Sequence, residues 1–382
     1  MEGRRGIYIV LIIAILLLIA ALVFYFTRGL SVQSQPTISN LKDCNTLKFN
    51  EETGVNVLFF SNKQEAEQYS DLLLSLSPFS ENEKSFNFYY ITPSVFDATQ
   101  YCEIYQGVAV LCYQKEIIKV ASSCPHDYIA VVDSYSAGIR SSAYKDVMSI
   151  NSASPIVVFA HEFGHVFANL AEEYVPASIP FGSKNCQSSC DKFESDVDGC
   201  YNGCSRGDYK RSHEASIMRT LRSLTFGQFN EKLLSERISE SIIEKGAITG
   251  NALFDFKKDD CKDQRNYFIE GKKVDGKFQI ISTELRTGCS SGANTLGDVK
   301  YDVYDINSQN TLSNRFSFNI FTDGQTDVQG SETIKGKIYQ NEDSFFITTP
   351  ATGQESELTI SDNNDSTTVN LENLGDNNPC HL

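Results

Sequence analysis

Residues 155 to 175 read PIVVFAHEFGHVFANLAEEYV, and this stretch constrains the chain more than any other. Ser154 is a good N-cap and Pro155 a good first helical residue, so a helix is expected to start at about 155. On that helix His161 and His165 stand at i and i+4, on one face and about 6 Å apart along the axis, where two imidazoles can grip one ion. Glu162 lies beside the first histidine, where it can take a proton from water. The chain has only five histidines, and two of them frame a glutamate at ligand spacing. That pattern points to a metal site, the ion being zinc, rather than to two core histidines.

Two ligands do not make a stable site, so the backbone must bring a third. Glu172 would share the histidine face of a straight helix, but about 10.5 Å further along the axis than His165, too far to reach the same ion. Either the helix breaks or the ligand comes from elsewhere. Asn169 offers the break, since asparagine tolerates the left-handed conformation that ends a helix. The chain could then fold back and bring Glu172 or Glu173 under the histidines. A later acid, such as Glu194 or Glu214, is the alternative source.

HEFGHVFANLAEEY resembles the zinc motif of the IgA-peptidase-type metallopeptidases, in which HEFGH is followed by a glycine break and an acidic-Glu-Tyr triplet. Asn169 stands at the break and Glu172, Glu173 and Tyr174 match the triplet. Pro78-Phe79 and Phe86 to Tyr89 upstream, with Gly207 to Arg211 and Ser216 to Arg219 downstream, extend the likeness over about residues 55 to 245. The resemblance implies a metzincin-like α/β zinc peptidase domain with Met218 in a methionine turn beneath the metal. It leaves the third ligand open. Glu172 lies three residues beyond the break, as the third metzincin ligand does, whereas Glu173 matches the more characteristic Glu-Tyr pair.

The rest of the chain sets the context. Ile7 to Phe26 is an unbroken apolar run of 20 residues preceded by Arg4 and Arg5. Such a run is long enough to cross a bilayer and longer than a signal-peptide core, so it is expected to anchor the chain with its N-terminus in the cytoplasm. Eleven cysteines fit an exported, disulfide-bonded body, and their odd number leaves one thiol over. A formal charge of −16 argues against nucleic acid as a partner. Val55 to Phe60 reads as a buried strand followed by a helix capped by Ser61 and Gln64, and a second long helix is expected over about 226 to 245. From about residue 255 the pattern turns to alternating strands such as Val299-Tyr301-Val303, with no helical period.

The expected organisation is thus a transmembrane signal anchor at 1–28, a stalk at 29–50 and a zinc metallopeptidase domain at 51–248. A C-terminal all-β, Ig-like sandwich follows at 255–382. Within the peptidase domain, Cys186-x3-Cys190 and Cys200-x3-Cys204 would place cysteine pairs on two short helices, stapled by nested bridges 186–204 and 190–200 into an insert at 186–204. The acids of its turn, Asp191, Glu194, Asp196 and Asp198, have the chemistry for Ca2+, though a solvated loop needs no ion. Tyr209 and His213 precede the methionine turn and could donate a hydrogen bond to an oxyanion or substrate.

The expected activity is that of an outward-facing, membrane-held zinc endopeptidase acting on a protein or peptide, with Glu162 as general base and an extended substrate pairing around Tyr144 to Ile150. A zinc hydrolase of a non-peptide envelope bond, or a silent binding or adhesion protein on the same scaffold, are the other classes.

Overall fold

Val55–Phe60 is apolar at nearly every position because both faces of its sheet are covered. Val55, Val57 and Phe59 enter one core, and Leu58 and Phe60 enter another. The computed structural model describes residues 41–93, 101–136, 138–193, 198–250, 261–292, 294–305, 310–322, 344–351 and 355–371. These residues all belong to one compact unit. Its main sheet has seven strands in the order Asn45–Lys48, Phe86–Ile91, Val55–Phe60, Tyr128–Asp133, Val147–Asn151, Ser142–Tyr144 and Ile320–Thr322. The four strands from Phe86–Ile91 to Val147–Asn151 are parallel, and the outer pairings are antiparallel.

Helices Lys63–Leu74, Val158–Ala168 and Gln228–Gly250 contribute to the core on the Val57 and Phe59 side. Phe79, Phe86, Phe163, Phe167 and Phe226 form its aromatic centre. Against the other side pack helix Lys115–Ala121 and the C-terminal strands. Those strands form a three-stranded sheet (Lys277–Thr287, Arg265–Val274, Ser344–Pro350) and a four-stranded sheet (Asn310–Phe316, Val299–Asp305, Glu355–Ser361, Ser366–Asn370).

The expected fold class is corrected here. Among the described residues no helix is long and apolar enough to cross a membrane, so the transmembrane helix of the expected architecture is not supported. The apolar run at 7–26 lies outside the described residues. What the structure shows is mostly sheet, with four α-helices among those residues. The C-terminal strands do lie in two facing sheets, with Phe345 of one against Phe316 of the other and Lys273 paired with Asp362, but their core is not theirs alone. Tyr267, Phe268, Val303, Phe345 and Ile360 share a single core with Leu58, Val131 and Tyr144, and Ile320–Thr322 leaves to extend the main sheet. The seam between these parts is well fastened. Lys145 Nζ lies 4.4 to 5.3 Å from the ring centres of Tyr113, Tyr144, Phe316, Phe318 and Phe345. Lys115 pairs with Glu270 at 2.6 Å, and Lys119 with Glu284 at 3.2 Å.

Local boundaries also shift. Asn62, not Ser61, caps helix Lys63–Leu74, in a capping box with Glu65. The histidine helix begins at Val158, because Pro155 to Val157 form a tight turn closed by Val158 N–H on Pro155 O, while Ser154 N–H is spent on Asn151 O. The cysteine insert is stapled by Cys186–Cys204 and Cys190–Cys200, the nested pairing, but it has no α-helix among its described residues. It consists of a 3-10 turn, Cys190–Lys192, and a hairpin of Tyr201–Cys204 with Arg206–Arg211. Cys44–Cys124, Cys102–Cys112 and Cys261–Cys289 complete five disulfides. The eleventh cysteine, Cys380, lies outside the described residues.

Candidate metal centre

The histidine helix stops at Asn169, whose φ of 52° and ψ of 36° are left-handed. Its N–H bonds His165 O, and Leu170 N–H reaches back to Gly164 O, which closes the helix and reverses the chain. The Asn169 side chain fixes the reversal by donating to Phe181 O at 2.8 Å. Beyond it the backbone is held by Asn185, which accepts from Ala171 N–H at 2.7 Å and donates to Ala171 O at 2.9 Å. The Ser205 hydroxyl donates to Glu172 O at 2.7 Å. Both residues belong to or adjoin the cysteine insert, and Cys186 and Cys204 pack on Ala171. The insert therefore scaffolds the turn that follows the helix.

That turn carries Glu172 under the histidines. Glu172 Oε1 is 3.1 Å from His165 Nε2, Glu172 Oε2 is 3.3 Å from His161 Nε2, and the two Nε2 atoms are 3.2 Å apart. Each histidine is aimed from behind: Nδ1–H of His161 donates to Ile217 O at 2.9 Å, and that of His165 to Leu170 O at 2.6 Å. A carbonyl can only accept, so these bonds keep a proton on each Nδ1, and each Nε2 faces the shared centre, where it offers a lone pair once its own proton is displaced. Ligands held about 2.0–2.1 Å from a tetrahedral zinc stand about 3.3–3.4 Å apart. The donor set fits that ion in chemistry and in spacing. All three side chains are buried, as is Glu162, which is 0% exposed and close enough to His161 for its charge to raise that imidazole.

The electrostatics keep Glu172 ionised. Burial pushes the Glu172 carboxyl up, but His165 and His161 outweigh it and hold the group at about 2. Burial pushes His161 down, yet the Glu172 carboxylate prevails and lifts it to about 10. For His165 burial wins, and the ring is lowered.

Glu173 faces the other way. Its Oε1 accepts from Asn230 at 2.8 Å and from Asn185 at 3.2 Å, and its Oε2 accepts from Ser216 at 2.5 Å. Its own N–H bonds Met218 O. Met218 is fully buried beneath the histidine helix. A Cβ on Gly164 would come within 2.8 Å of its sulfur, so the glycine of HEFGH makes room for Met218. Neither of the two candidate oxyanion donors joins the cluster. His213 Nδ1 bonds Asp198 at 2.7 Å, and Tyr209 packs on the Cys186–Cys204 region with Arg206 over its ring. Of the proposed calcium acids, Glu194 and Asp196 lie outside the described residues, and Asp198 is engaged by His213 and by Gln228 N–H.

Sequence reasoning missed Asn185, Ser205 and Asn230, which carry no motif, the bond of Ser216 to Glu173 within the Ser216 to Arg219 segment, and Phe321. The Phe321 ring stacks on His165 with centroids 4.2 Å apart and planes at 14°. No protein-family model matches the chain, and no curated protein matches it. The site is therefore read from its geometry.

Proposed function

We propose that the protein is a zinc-dependent endopeptidase, with His161, His165 and Glu172 as the metal ligands and Glu162 as the general base. The observation that carries this reading is the buried trio of two Nε2 atoms and one carboxylate, mutually 3.1 to 3.3 Å apart, with both Nδ1 atoms anchored on backbone carbonyls. A zinc ion held there supplies a Lewis acid and lowers the pKa of water to about 7. Glu162, on the same helix as both histidines, takes a proton from water and hands it to the amine that leaves. Ile217 O and Leu170 O keep both imidazoles in the ligating tautomer throughout. Glu173, bound by Asn230, Asn185 and Ser216, holds the helix break to the methionine turn and takes no part in the proton transfer.

The resemblance to the IgA-peptidase-type motif supports the reading through the left-handed break at Asn169 and the burial of Met218 beside Gly164. It carries no claim about immunoglobulin. Five disulfides fit an oxidising compartment outside the cytoplasm.

The test is the purified zinc-loaded protein against a broad peptide library and, in parallel, against cell-envelope amides. Glu162→Gln should keep its zinc and lose peptide cleavage by roughly 10²–10⁴-fold. Cleavage by Glu162→Gln at the wild-type rate would overturn the assignment, and so would hydrolysis of envelope amides in place of peptides.

A further inference from the structure

Val147–Asn151 cannot receive a substrate strand, because it is paired on one side with Tyr128–Asp133 and on the other with Ser142–Tyr144. The edge available beside the histidine helix is Ser142–Tyr144, and the chain has already filled it. Ile320–Thr322 lies antiparallel on that edge, with Ile320 opposite Tyr144, Phe321 opposite Ala143 and Thr322 opposite Ser142. Its middle side chain, Phe321, lies flat on the ligand His165. Its last carbonyl, that of Thr322, accepts at 2.5 Å from the hydroxyl of Tyr174 in the Glu-Glu-Tyr triplet. The strand thus contacts the sheet edge, a metal-ligand ring and the chain reversal at once, as an extended peptide crossing the site would. It is fixed upstream by Phe316 and Phe318, which help enclose Lys145, the residue directly after the edge strand. Under it His161, Glu162, His165 and Glu172 are all at most 3% exposed, so a scissile bond has no room to reach them.

We propose that Ile320–Thr322 is an intramolecular stand-in for substrate, which caps the metal centre and must leave Ser142–Tyr144 before a substrate can bind. The substrate it stands in for is an extended peptide that adds to the same edge antiparallel and presents a bulky apolar side chain where Phe321 stacks. This second statement rests on the peptidase reading. The capping rests only on His161, His165 and Glu172 holding zinc.

The test uses the full chain loaded with zinc, as wild type, Phe321→Ala and Phe321→Tyr. Three quantities are measured: the rate at which a chromogenic chelator withdraws zinc, hydrogen exchange of the 142–144 amides, and kcat/KM on library peptides. Loss of the half-buried ring should speed zinc withdrawal and cleavage by roughly 10-fold and deprotect the edge amides, the factor expected for a partly buried phenylalanine side chain. Phe321→Tyr should stay near wild type. If Phe321→Ala fails to fold, Phe321→Leu, which keeps the apolar bulk and loses the flat ring, carries the same comparison. Unchanged withdrawal and unchanged exchange would overturn the proposal, whatever the peptides do. Faster withdrawal and exchange with no peptide cut by any variant would uphold the cap and sink the peptidase reading instead.

Discussion

Glu172 and Glu173 are neighbours with opposite tasks, and what separates them is which polar groups each one meets. Glu172 meets two Nε2 atoms. Glu173 meets two amides and a hydroxyl, and burial raises its carboxyl despite those bonds. Removing Glu173 leaves Asn230, Asn185 and Ser216 short of a buried acceptor, so Glu173→Ala should cost about 2–4 kcal/mol. Glu173→Gln, which keeps one carbonyl acceptor and a similar shape, should cost within about 1 kcal/mol. Thermal or urea unfolding of the two variants checks both values. A loss as large for Gln as for Ala would mean that charge, not hydrogen bonding, is what the position supplies. The sequence made His161, Glu162 and His165 legible because their spacing alone states their chemistry. It left the third ligand between two glutamates, because the choice depends on Asn185 and Ser205 gripping the turn from further along the chain.

At the scale of elements, the site is a helix that stops on time. Asn169 sits in a left-handed conformation that a β-branched residue resists. Asn169→Val should therefore destabilise the protein by about 1–3 kcal/mol and weaken zinc binding, because the turn would no longer return Glu172. Asn169→Gly, which accepts that backbone and loses only the bond to Phe181 O, should stay within about 1 kcal/mol of wild type. Unfolding measurements on both, with zinc titrations, decide this. Equal behaviour of the two variants would show that the reversal is held by Asn185 and the disulfides rather than by the cap. The break was legible from the one asparagine at the right distance from the histidines. The cysteine insert was legible as a staple but not as the scaffold of Glu172, and its expected helices yielded to a hairpin. The x3 spacing of its cysteines fits bridges across strands and turns as well as across helices.

At the scale of the whole molecule, the main sheet and the C-terminal strands share a core, and Asp146 titrates at their seam. Burial raises its carboxyl from the ordinary value to about 6, against the pull of Lys145. An acid with a raised folded pKa binds its proton more tightly when folded. Stability is therefore full at pH below the ordinary carboxylate range, falls as pH rises towards about 6, and is flat beyond. Asp146→Asn should abolish that fall and gain up to about 3 kcal/mol at neutral pH. Urea midpoints of both proteins from pH 4 to pH 7.5 test it, and parallel curves would contradict it. Alternation in residues such as Val299, Tyr301 and Val303 announced strands, and it did so correctly. It could not announce which surface they would cover. An apolar face reads the same whether it closes on a partner sheet of its own or on Leu58 and Val131 from another part of the chain. For that reason Phe321, which reaches His165 from the C-terminal strands, had no signal in the local pattern.

The central claim is that the metal ligands are His161, His165 and Glu172. Zinc per chain in the purified protein tests it most directly, measured for wild type, Glu172→Ala and Glu173→Ala. The account predicts a single bound zinc in wild type and in folded Glu173→Ala, and none retained by Glu172→Ala after dialysis. Zinc retained by Glu172→Ala, or lost only from a folded Glu173→Ala, would contradict it.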